Sequence, residues 1–174
     1  MSILITGGTG FIGSHTVVEL LKDNREVIIM DSLVNSKICV LDRIEKITGK
    51  RPKFYHADLL DYDATDKIFA ENPDIDSVIH FAGLKAVGES VAKPILYYHN
   101  NITGTLNLCD IMAKHGVKRI VFSSSATVYG KPETVPIKET FPLSTTNPYG
   151  ETKLVIERIL EDICVSDPEW SVSI

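Results

Sequence analysis

The stretch Thr6-Gly7-Gly8-Thr9-Gly10-Phe11-Ile12-Gly13 follows the apolar run Ile3–Thr6 and opens a helical pattern, Ile12–Lys22. Two spacings fit it: G-x-G-x-x-G on Gly8, Gly10 and Gly13, and G-x-x-G-x-x-G on Gly7, Gly10 and Gly13. A chain that turns tightly from strand to helix, brings its backbone against a pyrophosphate and packs the helix close to the strand needs residues without a Cβ. The unpaired amides and positive dipole end of the following helix then face the phosphates. A glycine-rich turn without a ligand would carry the same letters. The position between a strand and a helix in the first βα unit favours the dinucleotide reading.

Outward from this turn, strand and helix patterns alternate. Strand-like runs lie at Ile3–Thr6, Glu26–Met30, Lys53–His56, Ser77–Phe81 and Arg119–Ser123. All but Lys53–His56 are apolar or β-branched almost throughout, as expected of strands covered on both faces. Helical patterns lie at Ile12–Lys22, Ile38–Thr48, Asp61–Ala70, Pro94–His115 and Tyr149–Cys164, with Asp61 as an N-cap and Gly116 as a stop. Strict alternation predicts an α/β fold, a doubly wound parallel sheet of five to six strands with helices on both faces. The alternating Trp170–Ile174 reads as a sixth strand with no turn or cap after it, so the chain is expected to be cut in or just past that strand. Residues 1–174 are expected to form one domain.

Asp31 ends the second strand, 18 residues after Gly13, where a carboxylate accepts from the ribose hydroxyls of NAD and repels the 2′-phosphate of NADP. A turn aspartate is the plain alternative. Asp58 and Phe81-Ala82-Gly83 follow the third and fourth strands, at the carboxyl ends where such sheets bind ligands. On position alone Asp58 is a weak signal and could be a helix-entry residue. Downstream, Ser123-Ser124-Ser125 ends the fifth strand, and Tyr149 and Lys153 share one helical face. A phenol is a poor base at neutral pH, and a nearby ammonium favours its ionised form. A serine hydroxyl beside the pair can hydrogen-bond a reacting oxygen.

Composition excludes several classes. The net charge of −5 without a Lys/Arg cluster disfavours nucleic acid. No run is long enough to predict a membrane span. The opening Met-Ser-Ile-Leu-Ile-Thr lacks a basic segment, so no signal peptide is expected. The odd number of cysteines, Cys39, Cys109 and Cys164, reads as buried thiols in a reducing compartment, hence a cytoplasmic protein. The five histidines show no metal-ligand spacing, and no metal is expected.

The residues resemble the extended short-chain dehydrogenase/reductase family, in its NAD-dependent epimerase/dehydratase branch. The stretches that carry the similarity are Ile5–His15, Asn35-Ser36-Lys37, Val78–Ser90 and Phe122–Gly130, with Tyr149 and Lys153. The resemblance covers the whole chain. It implies NAD as cofactor, a UDP-sugar as substrate, isomerase chemistry at the sugar C4, and a second, smaller substrate-binding domain that this chain lacks. It implies Tyr149 as the base, Lys153 as its partner on the nicotinamide ribose, and Ser125 as an aid to proton transfer. Gly7, Gly10, Phe11, Ile12 and Gly13 would meet the pyrophosphate. Asp31, Ser32, Asn35 and Ser36 would hold the adenosine ribose, and Asp58 and Leu59 would flank the adenine. Phe81, Ala82, Gly83, Lys85 and Asn100 would line the pyrophosphate and nicotinamide side. A second copy of the chain is the expected protein partner. A dehydratase of the same fold would carry an Asp-Glu pair where this chain has Ala126-Thr127. A generic reductase would not carry Lys85–Ser90. The competing reading from another class is a dinucleotide-binding fragment without turnover.

Overall fold

The computed structural model describes residues 1–174. Six strands form one sheet: β1 (Ser2–Thr6), β2 (Glu26–Asp31), β3 (Lys53–His56), β4 (Ile75–His80), β5 (Arg119–Phe122) and β6 (Ser171–Ser173). Their order is β3-β2-β1-β4-β5-β6, and every pairing is parallel. The seven α-helices are α1 (Phe11–Lys22), α2 (Cys39–Thr48), α3 (Tyr62–Glu71), α4 (Val87–Ala92), α5 (Pro94–Tyr98), α6 (Gly104–Lys114) and α7 (Pro148–Ser166).

Strand periodicity sorts the side chains into two cores. Ile3 and Ile5 of β1 and Val27 and Ile29 of β2 pack with Val17 and Leu21 of α1 and Leu41 and Ile44 of α2. Their alternates, Leu4, Ile28 and Met30, join Phe69 of α3, Leu108 and Met112 of α6, and Ile156 and Leu160 of α7 on the opposite face. Each such side chain stabilises by about 1.5–3 kcal/mol when fully buried. β3 is polar because it is an edge, with its four residues only partly covered. The strand order reverses between β1 and β4, which opens a crevice at their carboxyl ends.

The structure differs from the sequence reading in four places. The Pro94–His115 stretch is not one regular helix: α5 and α6 flank a π-helical segment, His99–Thr103. A π turn widens the backbone ring by one residue and re-aims the side chains on it. The short α4 was not foreseen, because Val87-Gly88-Glu89-Ser90 has low helix propensity. Phe81 and Ser123 lie just past the ends of β4 and β5, where the ladder ends and the site begins. Of the cysteines only Cys109 is buried, which pushes its thiol up to about 12; Cys39 and Cys164 are half-buried.

Candidate active site

The crevice is a cleft of about 710 Å³. Every site residue that the resemblance implies lines it: Gly7, Gly10, Phe11, Ile12 and Gly13 at the phosphate turn; Asp31, Ser32, Asn35, Ser36, Asp58 and Leu59 beyond β2 and β3; Phe81, Ala82, Gly83, Lys85 and Asn100 past β4; and Ser125, Tyr149 and Lys153 on the β5–α7 side. Gly8 of the first glycine spacing does not line it, and a Cβ there would stand 2.8 Å from the Ile29 side chain.

The turn is built for close approach. Gly7 sits at φ +70, and a Cβ there would stand 2.8 Å from the Ala82 amide nitrogen. A Cβ on Gly13 would stand 2.3 Å from the Gly7 carbonyl oxygen. Gly10 is the N-cap of α1 without a side-chain cap, and the first turn holds no acid. The first-turn amides are therefore open to an anion. Asp31 serves two purposes. Its Oδ2 accepts from the Thr9 amide at 3.0 Å, and its Oδ1 accepts from the Leu33 amide at 2.9 Å and from Ser36 Oγ at 3.0 Å. The carboxylate thus fixes both loops of the cleft and keeps lone-pair capacity for a ribose diol. Asp58 is not the entry residue of α3. Its Oδ1 accepts from the Leu60 amide at 2.9 Å, while Asp61 caps the helix by accepting from Ala64 at 3.0 Å. Open amides, glycines whose Cβ atoms would fill the cradle, and an acid at the end of β2 fit a dinucleotide.

On the other side, Asn147 caps α7 by accepting from the Gly150 amide at 2.8 Å, which sets the helix that carries Tyr149 and Lys153. Lys153 is 5% exposed; its Nζ donates to the Ser123 carbonyl at 2.8 Å and lies 4.5 Å from the Phe122 ring centre. Burial pushes this ammonium down to about 8, partly opposed by the Glu157 carboxylate. Near neutral pH it is still mostly charged, with N–H groups left for a ligand. Ser125 Oγ accepts from the Thr127 amide at 3.3 Å and from Thr127 Oγ1 at 2.9 Å. Its own O–H is free to point into the cleft.

Sequence reasoning missed a buried polar chain beneath the floor. Thr105 Oγ1–H donates to the Asn101 carbonyl at 2.8 Å, so it must accept from His80 Nε2–H at 2.9 Å. His80 Nδ1 therefore accepts from Thr6 Oγ1–H at 2.7 Å. Asn101, from the π segment, brackets Leu84: its Oδ1 accepts from the amide at 2.8 Å and its Nδ2 donates to the carbonyl at 2.9 Å. Nδ2 also reaches Thr152 Oγ1 at 3.0 Å, and Thr152 Oγ1 donates to the Tyr149 carbonyl. The phosphate turn, the loop after β4 and the start of α7 are thereby joined. Only the polar letters of His80, Asn101 and Thr105 in apolar surroundings hinted at it.

His80 is held neutral: burial, and secondarily the charge of Lys153, push it down to about 3. An unfolded histidine titrates near ~6.5. The unfolded chain thus takes a proton that the native one refuses, and stability is lost as pH falls from about 6.5 toward 3, by at most ~1.4 kcal/mol per pH unit. Urea unfolding of wild type and His80→Asn should show wild type losing roughly 2–2.5 kcal/mol relative to the variant between about pH 6.5 and 4.5. A constant difference would contradict this account.

Comparison with known proteins places the chain. Residues 3–172 match the NAD dependent epimerase/dehydratase family, and the chain belongs to that family. It is 63% identical over 174 residues to the UDP-glucose 4-epimerase of Bacillus subtilis, matching 100% of this chain and 51% of that one. A crystal structure of UDP-glucose 4-epimerase from Bifidobacterium longum in complex with NAD+ and UDP superposes with a TM-score of 0.96 at 55% identity, over 99% of this chain and 51% of that one. The UDP-Glc/GlcNAc 4-epimerase of Campylobacter jejuni does so with a TM-score of 0.93 at 36% identity, over 98% of this chain and 51% of that one. The chain spans about half the length of the curated relatives it matches.

Proposed function

We propose that this chain is the NAD-binding and catalytic half of a UDP-glucose 4-epimerase that interconverts UDP-galactose and UDP-glucose. One observation carries the reading. Lys153, Tyr149 and the free hydroxyl of Ser125 stand in the same cleft as the open amides of α1 and the Asp31 carboxylate. When bound, NAD supplies reversible hydride acceptance at the sugar C4, which passes through a 4-keto state. The chain's own groups bind and move protons. Tyr149 takes the proton of the 4-hydroxyl, Ser125 donates a hydrogen bond to that oxygen, and the Lys153 ammonium holds the nicotinamide ribose. Ser32, Asn35, Ser36, Asp58 and Leu59 frame the adenosine, and Gly83, Lys85 and Asn100 the nicotinamide side. Residues 1–174 act as one NAD-binding domain. Homology to UDP-glucose 4-epimerases points to galactose metabolism, and three free thiols favour the cytoplasm. A second copy covering exposed Val91, Ile95 and Leu96 is the proposed self-association, which light scattering would detect.

The test completes the chain with the second half of the Bacillus subtilis relative and follows UDP-glucose formed from UDP-galactose in a coupled assay. Turnover is expected; its absence in a folded, NAD-loaded protein would overturn the reading. Residues 1–174 alone should bind nucleotide without turnover, because the uridine diphosphate has no anchor to hold the sugar at the reacting distance.

Cofactor choice gives a separate prediction. A phosphate on the ribose 2′-oxygen would face the Asp31 carboxylate, and like charges brought together cost several kcal/mol. Calorimetry on residues 1–174 should find NAD bound at least roughly tenfold tighter than NADP, with Asp31→Ser closing the gap. Equal affinity in wild type would refute the assignment.

A further inference from the structure

α7 places Tyr149, Lys153 and Glu157 on one face at successive turns. The first two line the cleft, whereas Glu157 stands behind it, half-buried. Against this face runs the exit of β5, three serines with three separate uses. The Ser123 carbonyl accepts from Lys153 Nζ at 2.8 Å, the Ser124 hydroxyl donates to Glu157 Oε1, and the Ser125 hydroxyl opens into the cleft. The backbone between them is tight, with the Ser124 amide donating to the Phe122 carbonyl at 3.1 Å. The Ser124 hydrogen bond to Glu157 thus ties the short turn that carries Ser125 to α7.

We propose that Glu157 is a positioning residue for this site, locking the β5 exit to α7 through Ser124 and supporting the charge of Lys153 from one helical turn away. The proposal rests on the epimerase reading for the meaning of Lys153 and Ser125. The groups that face Lys153 leave Glu157 as its one supporting charge. From β4 comes His80, which is neutral; from the β5 exit comes the Ser123 carbonyl and the Phe122 ring; from α7 come Tyr149 and Glu157. Burial weakens the ammonium and the Glu157 carboxylate opposes that weakening. A carboxylate that both holds the serine turn and faces the lysine couples the two halves of the proton-transfer machinery.

Two substitutions separate the two actions. Glu157→Gln keeps an acceptor for the Ser124 hydroxyl and removes the charge. Ser124→Ala keeps the charge and removes the tether. Competitive acetylation of residues 1–174 across pH, read by peptide mass spectrometry, follows Lys153 without any turnover. Glu157→Gln should move its titration down by on the order of one pH unit, and Ser124→Ala should leave it in place. In the completed enzyme, the alkaline limb of the kcat profile should move down with Glu157→Gln. Ser124→Ala should lower kcat roughly tenfold at unchanged KM, because the serine turn is misplaced. An unchanged Lys153 titration in Glu157→Gln, with only a lowered melting temperature, would overturn the proposal. A completed wild type without turnover would count against the proposed function, and the labelling result would still decide the role of Glu157.

Discussion

Lys153→Met in the completed enzyme is expected to reduce epimerisation by about 10²–10⁴-fold while the fold survives, since general acid–base machinery contributes on that scale. Lys153 is buried, one of its N–H groups is committed to the Ser123 carbonyl, and no other ammonium lies on the α7 face of the cleft. Methionine keeps the apolar stem against Phe122 and removes both the charge and the donor to the Ser123 carbonyl. Tyr149→Phe should be at least as damaging, because it removes the proposed base. Phenylalanine keeps the ring of a half-buried residue, so circular dichroism and melting temperature should stay near wild type. The measurement is initial rate at saturating UDP-galactose, with nucleotide content checked by absorbance. A Tyr149→Phe protein within tenfold of wild type would remove tyrosine from the mechanism. It would shift attention to the Ser125 hydroxyl, which keeps its hydrogen for a ligand.

Gly13→Val should weaken NAD binding by roughly 10–100-fold. Overpacking costs typically 1–3 kcal/mol, and each 1.4 kcal/mol is tenfold in affinity. A Cβ at residue 13 would stand 2.3 Å from the Gly7 oxygen and 2.9 Å from the Gly8 Cα, both backbone atoms. Either α1 lifts off the turn or the turn itself opens, and both move the open first-turn amides of α1. Gly88→Ala is the control. Nothing lies within 4 Å of a Cβ there, and Gly88 is inside α4, so alanine should raise stability by about 0.5–1 kcal/mol and leave NAD affinity alone. Calorimetric titration of residues 1–174 with NAD decides both. Wild-type affinity in Gly13→Val would mean that the turn tolerates displacement and that the affinity resides elsewhere, in Asp31 and the loop beyond it.

Much of this architecture was legible in the letters because it rests on short-range rules. Apolar runs such as Ile3–Thr6 and Glu26–Met30 show continuous burial, the glycines mark a turn with no room for Cβ atoms, and Tyr149 and Lys153 are neighbours by helical period alone. A parallel sheet with crossover helices follows from the alternation, and its carboxyl edge collects whatever follows each strand. That is why the site residues that the resemblance implied, from Gly7 to Lys153, all line one cleft. The tertiary structure decided what depends on groups distant in sequence. The tautomer of His80 depends on Thr6 and Thr105, on different elements, and its neutrality on burial and on the nearby charge of Lys153. Asn101, on the π turn, finds its partners in Leu84 and Thr152, and no local propensity encodes them. Glu157 reads in sequence as an ordinary helix-surface acid. Only the folding of the β5 exit against α7 places the Ser124 hydroxyl on it, because a hydrogen bond between residues 33 positions apart is set by packing and not by period.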